Sequence, residues 1–342
     1  MRIHTHIFSL LLATIVFAQP AHQLPAPIDL KQATIRHHPK LTLPEHVIGP
    51  TIPGLSQGAI PQGLAYWPKH NWFLISHYFE KASNPSVVTA IDAKTGQVVR
   101  CLTLIEAEDE PHSGHVGGLA VSDKYLWIGS EHLFRVALTA IEDAKPVDYL
   151  QLHPPIKTEC AAAFVAYHNG LIWIGEFVSR GSRYESVPTH QLKDRNGVEK
   201  YAWIVGYALD ADEDLKSSDN DRPQVAAILS IRQKVQGMTF LGDQIILSMS
   251  YGRKNNSTIA AYKNPLDEKH HQSVEIDGQS IPLWFLDGQN KEWEADYPPM
   301  SEGITSFGEQ FGLIFESGAE KFQNGGRGPI DTILLFDSAE TK

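Results

Sequence analysis

One short hairpin occurs five times along the chain, and this constrains the fold more than any other feature. Each copy opens on polar and small residues, runs along an apolar strand to a tight turn, and returns on a second strand that ends in polar residues. The copies are PQGLAYWPKHNWFLISHYF from Pro61, HVGGLAVSDKYLWIGSEH from His115, ECAAAFVAYHNGLIWIGEF from Glu159, VQGMTFLGDQIILSMSYGR from Val235 and SEGITSFGEQFGLIFESGA from Ser301. Aligned on a small residue they give Gly63, Gly118, Ala162, Gly237 and Gly303, spaced 55, 44, 75 and 66 apart. More strand-like segments follow the copies: SVVTAIDAKTGQVVRCLTL, LFRVAL and VDYLQL, AWIVGYAL and QVAAILSI, TIAAY and IPLWFL, and finally TILLF. Sustained helical periodicity is absent.

Short antiparallel strands in units of this spacing predict propeller blades. A sandwich would not repeat the same hairpin with the same glycine, and a β-helix would repeat at a shorter period. The reading is an all-β chain with a single β-propeller over 41–342, five-bladed, with six blades as the alternative. A sixth, degenerate blade would lie in 180–200 or 264–299. The last copy lacks a fourth strand. The segment Leu41 to Ile48 (LTLPEHVI) supplies it and closes the ring, which removes the open edges that template aggregation.

Ahead of the propeller, Arg2 and the apolar run Ile7 to Ala18 form a leader-like pattern, with Val16-Phe17-Ala18 as a small-x-small cleavage signature. The run is about 12 residues, against roughly 20 for a bilayer span. We read residues 1–18 as a signal peptide, 19–40 as a linker, and the mature protein as secreted or periplasmic with no transmembrane segment. Export permits a Cys101–Cys160 disulfide, but both cysteines sit in apolar strand-like runs and suit separate buried thiols equally. With 29 Lys+Arg against 40 Asp+Glu the net charge is −11, so a nucleic-acid partner is excluded on electrostatic grounds. The acidic stretch Asp210 to Arg222 reads as a solvated hairpin tip, since it lacks the Gly and terminal Glu of a calcium loop. Gly54-Leu55-Ser56-Gln57-Gly58 has the letters of a nucleophile elbow but sits between prolines and reads as a loop. Trp284, Trp293 and Tyr297 suit either inter-blade packing or a sugar-stacking platform.

In antiparallel hairpins the first strand starts where the second ends, so ten segments converge on one mouth of the central channel. The strand starts contribute Gln62, His115, Glu159, Gln236 and Glu302. The strand ends contribute His77, Tyr78, Glu131, His132, Glu176, Tyr251, Arg253 and Glu316. Polar groups converging over an apolar scaffold are the default site. His115, Glu159 and Glu302 are the catalytic candidates. Gln62, His77, Tyr78, Glu176, Gln236, Tyr251, Arg253 and Glu316 are the candidates for substrate binding. Glu159 and Glu302 are the candidate ligands of a divalent cation, calcium first.

At PQGLAYWPKHNWFLISHYF…PSVVTAIDAKTG, KVQGMTF…SYGRKNNS and PPMSEGI…FESGA the chain resembles uncharacterised secreted bacterial β-propeller proteins, from about Gly58 to the C-terminus. That resemblance implies no established activity. More distantly, the blade starts resemble those of gluconolactonase, paraoxonase and strictosidine-synthase-like propellers, which implies a central calcium held by Glu, Asn and Asp. Here the residues before the aligned small positions are Gln62, Gly117, Ala161, Gln236 and Glu302, of which Glu302 alone is acidic. The resulting expectation is an exported hydrolase of a small ester, lactone or phosphoester. The alternatives are a non-catalytic propeller that binds a small molecule, glycan or protein partner of the cell envelope, and a structural envelope protein. The oligomeric state is left open.

Overall fold

Each repeated hairpin forms the two inner strands of one blade. The computed structural model describes residues 28–30, 43–80, 84–106, 110–216, 222–323 and 328–338, and these form a five-bladed β-propeller. Blade 1 runs outward through Ala59–Trp67, Trp72–Phe79, Val87–Asp92 and Val98–Ile105, all antiparallel. Blade 2 has Gly118–Val121, Tyr125–Ser130 and His132–Ala137. Blade 3 has Phe164–His168, Leu171–Gly175, Ala202–Ala208 and Val225–Ile231. Blade 4 has Val235–Leu241, Gln244–Met249, Ser257–Lys263 and Lys291–Tyr297. Blade 5 has Ser301–Phe307, Gln310–Phe315 and Thr332–Asp337.

The ring closes with a strand from the N-terminal side, as expected: Val47–Thr51 pairs antiparallel with Thr332–Asp337. It overlaps only the end of the 41–48 segment. The expected signal peptide, 1–18, and all but three residues of the expected linker, 19–40, lie outside the described residues. Among the described residues no helix is long and apolar enough to cross a membrane.

The five innermost strands adjoin in cyclic order around the channel. Their backbones approach so closely that a side chain is excluded at defined points. A Cβ on Gly118 would lie 2.3 Å from the Val165 nitrogen, and one on Gly303 would lie 2.5 Å from the Leu64 nitrogen. Glycine is the residue that permits such contact. In blade 3 the alignment on Ala162 is two residues out. Phe164 pairs with Gly175 as Gly118 pairs with Gly129, so Phe164 occupies the glycine position. Its ring covers Gly175, where a Cβ would come within 1.9 Å of it. Gly175 is the counterpart of Gly129, and it makes the room that the Phe164 ring fills.

Both faces of each blade are buried, so the strands read as continuous apolar runs. Neighbouring residues point to opposite faces. Trp127 therefore packs toward blade 3 with Ile172 and Ile174, while Leu126 and Ile128 pack toward blade 1 with Leu74 and Val88. Trp173 faces Met238 and Phe240 of blade 4. Trp284 joins that core, and Tyr297 and Trp293 pack in the next one with Phe336 and Phe311. These three aromatics are packing residues rather than a sugar platform.

Two outer strands depart from the sequence reading. Val147–Gln151 leaves blade 2 and adds in parallel to Val98–Ile105 of blade 1. Gln279–Phe285 adds in parallel to Val225–Ile231 of blade 3 and carries Gln272–Ile276 with it. The region 264–299 is thus spent on blades 3 and 4. The region 180–200 holds a short turn and a two-residue ribbon, Leu192–Lys193 with Glu199–Lys200. There is no sixth blade among the described residues. Cys101 and Cys160 are buried free thiols rather than a disulfide. The Gly54 to Gly58 segment is a single helical turn, Leu55–Gln57, flanked by left-handed glycines.

Most of the described acidic stretch is exposed, as expected of a hairpin tip, but one residue is not. Its Glu213 is 7% exposed and accepts hydrogen bonds from Ser122 Oγ, Asp123 N and Lys124 N at the blade 2 turn, at 2.7–2.9 Å. Lys124 and Arg135 of blade 2 pair with Asp212 and Asp214. The stretch therefore clips blade 3 onto blade 2. Glu213→Ala removes the acceptor of all three hydrogen bonds and is expected to cost about 2 kcal/mol in a denaturant titration.

Candidate functional site

A cavity of about 670 Å³ opens at the end of the channel where the inner strands begin. Gln62, Gln236 and Glu302 reach it from equivalent places. Each lies within a register shift of its inner strand, just before the glycine. A bulge of this kind re-aims a side chain. His115 arrives from the connection into blade 2. Tyr78, Glu131, Tyr251, Arg253 and Glu316 arrive from second-strand ends.

The centre is a pair of carboxyl groups, each held by a glutamine amide. Gln62 Nε2 donates to Glu316 Oε1 at 2.6 Å. Gln236 Nε2 donates to Glu302 Oε1 at 3.1 Å. Glu302 is 4% exposed. Burial, then the charge of Glu316, hold its carboxyl well above the ordinary range. Burial pushes Glu316 up to about 7, against the Gln62 hydrogen bond, Lys321, a Tyr78 hydrogen bond and Arg253. Desolvation and a like charge each disfavour the ionised form, so the pair carries at most one full charge near neutral pH.

Around the pair, the Tyr78 and His115 rings lie with centroids 3.9 Å apart. Burial, then Lys321 and Arg183, hold the His115 imidazole below its ordinary range, so it is neutral at pH 7. Burial and the two carboxyls push the Tyr78 hydroxyl up, so it stays protonated. The rim is cationic and aromatic. Arg253 sits over the Phe322 ring at 4.8 Å and Arg183 over Tyr184 at 4.8 Å. Phe177 packs on Tyr184 at 5.3 Å and on Tyr251 at 6.0 Å.

Three candidate residues lie elsewhere. His77 is fully buried inside blade 1, with Nε2 2.9 Å from Thr89 Oγ1, and burial lowers it to about 3. Tyr78 follows it, and successive strand residues face opposite ways, so only Tyr78 reaches the cavity. Glu176 turns into blade 3, where Oε1 accepts from Trp203 N at 2.9 Å and lies 2.7 Å from His190 Nδ1. Its neighbour Phe177 takes the place at the mouth. Glu159 lines a separate cavity of about 460 Å³ with Lys157, Tyr207 and Gln279. The expected cation ligands Glu159 and Glu302 are therefore apart, and no group of three or more His, Cys, Asp or Glu suited to a metal occurs among the described residues. At the mouth the two carboxyls each accept a hydrogen bond from a glutamine amide.

Arg183, Tyr184, Lys321 and Phe322 line the mouth but escaped the sequence reading. The first two lie in the 180–200 insertion and the others in the short helix Glu320–Gln323, beyond the last hairpin. No periodicity links these segments to the channel.

No family model matches the chain, and no curated protein matches it in sequence. Solved structures of similar fold include a glutaminyl cyclase from Myxococcus xanthus, with TM-score 0.44 and 10% identity over 86% of this chain and 94% of that one. The RS223 β-xylosidase is similar at TM-score 0.44 and 10% identity, over 86% and 95%. A GH43_1 enzyme from Xanthomonas citri is similar at TM-score 0.40 and 10% identity, over 88% and 89%. At these values the likeness concerns architecture alone and assigns no activity.

Proposed function

We propose that the mouth is an acid–base site that hydrolyses a small anionic lactone or phosphoester, in a protein exported through its 1–18 leader. The observation that carries this reading is the Glu302–Glu316 pair. Its surroundings hold Glu302 as the acid and leave Glu316 near balance at pH 7. Proton transfer is most effective when a group titrates near the working pH, and paired groups with separated affinities divide the acid and base roles. The Glu316 carboxylate takes a proton from water as the water oxygen bonds to carbon or phosphorus. The C–O or P–O ester bond breaks, and Glu302 gives its proton to the departing oxygen. A proton then returns from Glu316 to Glu302 and resets the site. Gln62 and Gln236 orient the two carboxyls, and Arg253, Lys321 and Arg183 provide the positive rim for a carboxylate or phosphate.

A panel of lactones and phosphoesters assayed across pH tests this. The expected kcat/KM rises with pH through a midpoint near 7, as Glu316 becomes the base. The apposed rings of Phe177, Tyr184 and Tyr251 favour a second reading, a non-catalytic ligand site. No turnover of any substrate, with an intact ligand bound and lost in Arg253→Ala, would select it. The divalent cation is tested by melting the protein with and without chelator. An unchanged Tm is expected; a fall would reassign the carboxyls to an ion.

A further inference from the structure

We propose that Ser130, His112 and Glu106 form a second reactive centre, a serine nucleophile for small carboxylic esters, beside the mouth and independent of the carboxyl pair. His112 Nε2 lies 3.0 Å from Ser130 Oγ, and His112 Nδ1 lies 2.6 Å from Glu106 Oε1. Each ring nitrogen thus has one partner. The carboxylate fixes the proton on Nδ1, and Nε2 is left to accept the serine proton. Ser130 and His112 are 6% and 5% exposed, while the Glu106 side chain is 41% exposed. A hydroxyl–imidazole pair shielded from water and a carboxylate at its outer end are the parts of an activated nucleophile.

The surrounding backbone favours this use. A Cβ on Gly114 would lie 2.6 Å from Ser130 Oγ and 2.8 Å from His112 Nε2, so the glycine keeps a side chain off the pair. Glu131, directly after Ser130, has φ of 58°. A non-glycine residue there stores strain, which gathers at functional sites. Glu131 lines the mouth cavity, and Ser130, directly before it on the strand, turns its side chain the other way, into the blade toward His112. The Phe134 ring meets the imidazole edge-on at 5.1 Å. The backbone of His112 is fixed by His112 N donating to Leu104 O and Ser86 N donating to His112 O, at 3.0 and 2.6 Å.

In the reaction, Ser130 Oγ bonds to the ester carbon while His112 takes the hydroxyl proton. The ester C–O bond breaks, and His112 returns that proton to the departing alcohol. Water then attacks the acyl-serine with His112 as base, the acyl C–O bond to Oγ breaks, and the carboxylic acid leaves with the serine restored. No oxidant or co-reactant is needed.

The test is to treat the full-length protein with a fluorophosphonate probe and locate the adduct by peptide mass spectrometry. Labelling forms an Oγ–P bond and expels fluoride. One adduct per chain on Ser130 is expected, absent in S130A. H112A should slow it about 100-fold or more. E316Q should leave it unchanged, so this proposal and the mouth reading fail separately. No adduct on Ser130 of the folded protein, or labelling undiminished in H112A, would overturn it. Should H112A not fold, E106Q alters the exposed end of the relay, and an unchanged labelling rate there would overturn it equally.

Discussion

Glu316→Gln is expected to lose turnover by 100- to 10,000-fold and to melt higher than the parent at pH 8. The two effects share one cause. The Glu316 carboxyl titrates at about 7 in the fold, against an ordinary value of 4.5. Between those values the folded protein binds more protons than the unfolded chain, so its stability falls as pH rises from about 4.5 through 7. The full difference is about 3 kcal/mol. Glutamine keeps an oxygen for the Gln62 amide and cannot ionise, so it escapes that loss. The melting curves of the two proteins should nearly coincide at pH 4.5 and separate by about 5 °C or more at pH 8. Equal separation at both pH values would mean that the Glu316 affinity is not raised. A variant that melts higher yet keeps full turnover would remove Glu316 from the chemistry. Glu302→Gln should show the same direction of stabilisation, since its carboxyl is raised further.

Gly118→Val is expected to be the most damaging single change in the ring. A Cβ there would sit 2.3 Å from Val165 N, 2.5 Å from Phe164 Cα and 2.7 Å from Phe164 C. All three are backbone atoms of the neighbouring inner strand, so no side chain can swing away. The blades must part, and both adjoining cores lose contact. Overpacking in a core costs about 1–3 kcal/mol where side chains can yield, and a loss beyond about 3 kcal/mol is expected here. Chemical denaturation measures it. A loss under about 1 kcal/mol would mean that the ring flexes where Gly118 meets blade 3. At Gly242, where nothing lies within 4 Å, the cost should arise from its φ of 60° alone.

Much of the fold was legible because it is encoded locally. A hairpin needs an apolar strand, a turn and a second apolar strand, all within 20 residues. Five such hairpins pointed to five blades while leaving a sixth open, and the missing fourth strand after TILLF pointed to closure from the N-terminal side. The convergence of Gln62, His115, Gln236, Glu302, Tyr78, Tyr251, Arg253 and Glu316 followed from antiparallel geometry. The errors have physical causes. His77 and Glu176 each sit one residue from a side chain that does reach the mouth, and strand parity cannot be read to a single residue across a bulge. Ala162 looked like the repeat glycine because blade 3 carries Phe164 where blade 2 carries Gly118, and keeps its glycine only on the second strand, at Gly175. The two parallel outer strands and the Glu213 clip are pairings between distant segments, which no local pattern announces.

The sequence by itself determined a ring of five two-sided apolar hairpins with polar ends gathered at one mouth, because strand period, turns and glycines are properties of neighbouring residues. Only the tertiary structure decided what that mouth can do. Proton affinity and nucleophilicity depend on burial and on contacts within 3 Å between residues far apart in the chain. Gln62 meets Glu316, and Gln236 meets Glu302, only because the ring sets blade 5 between blades 4 and 1.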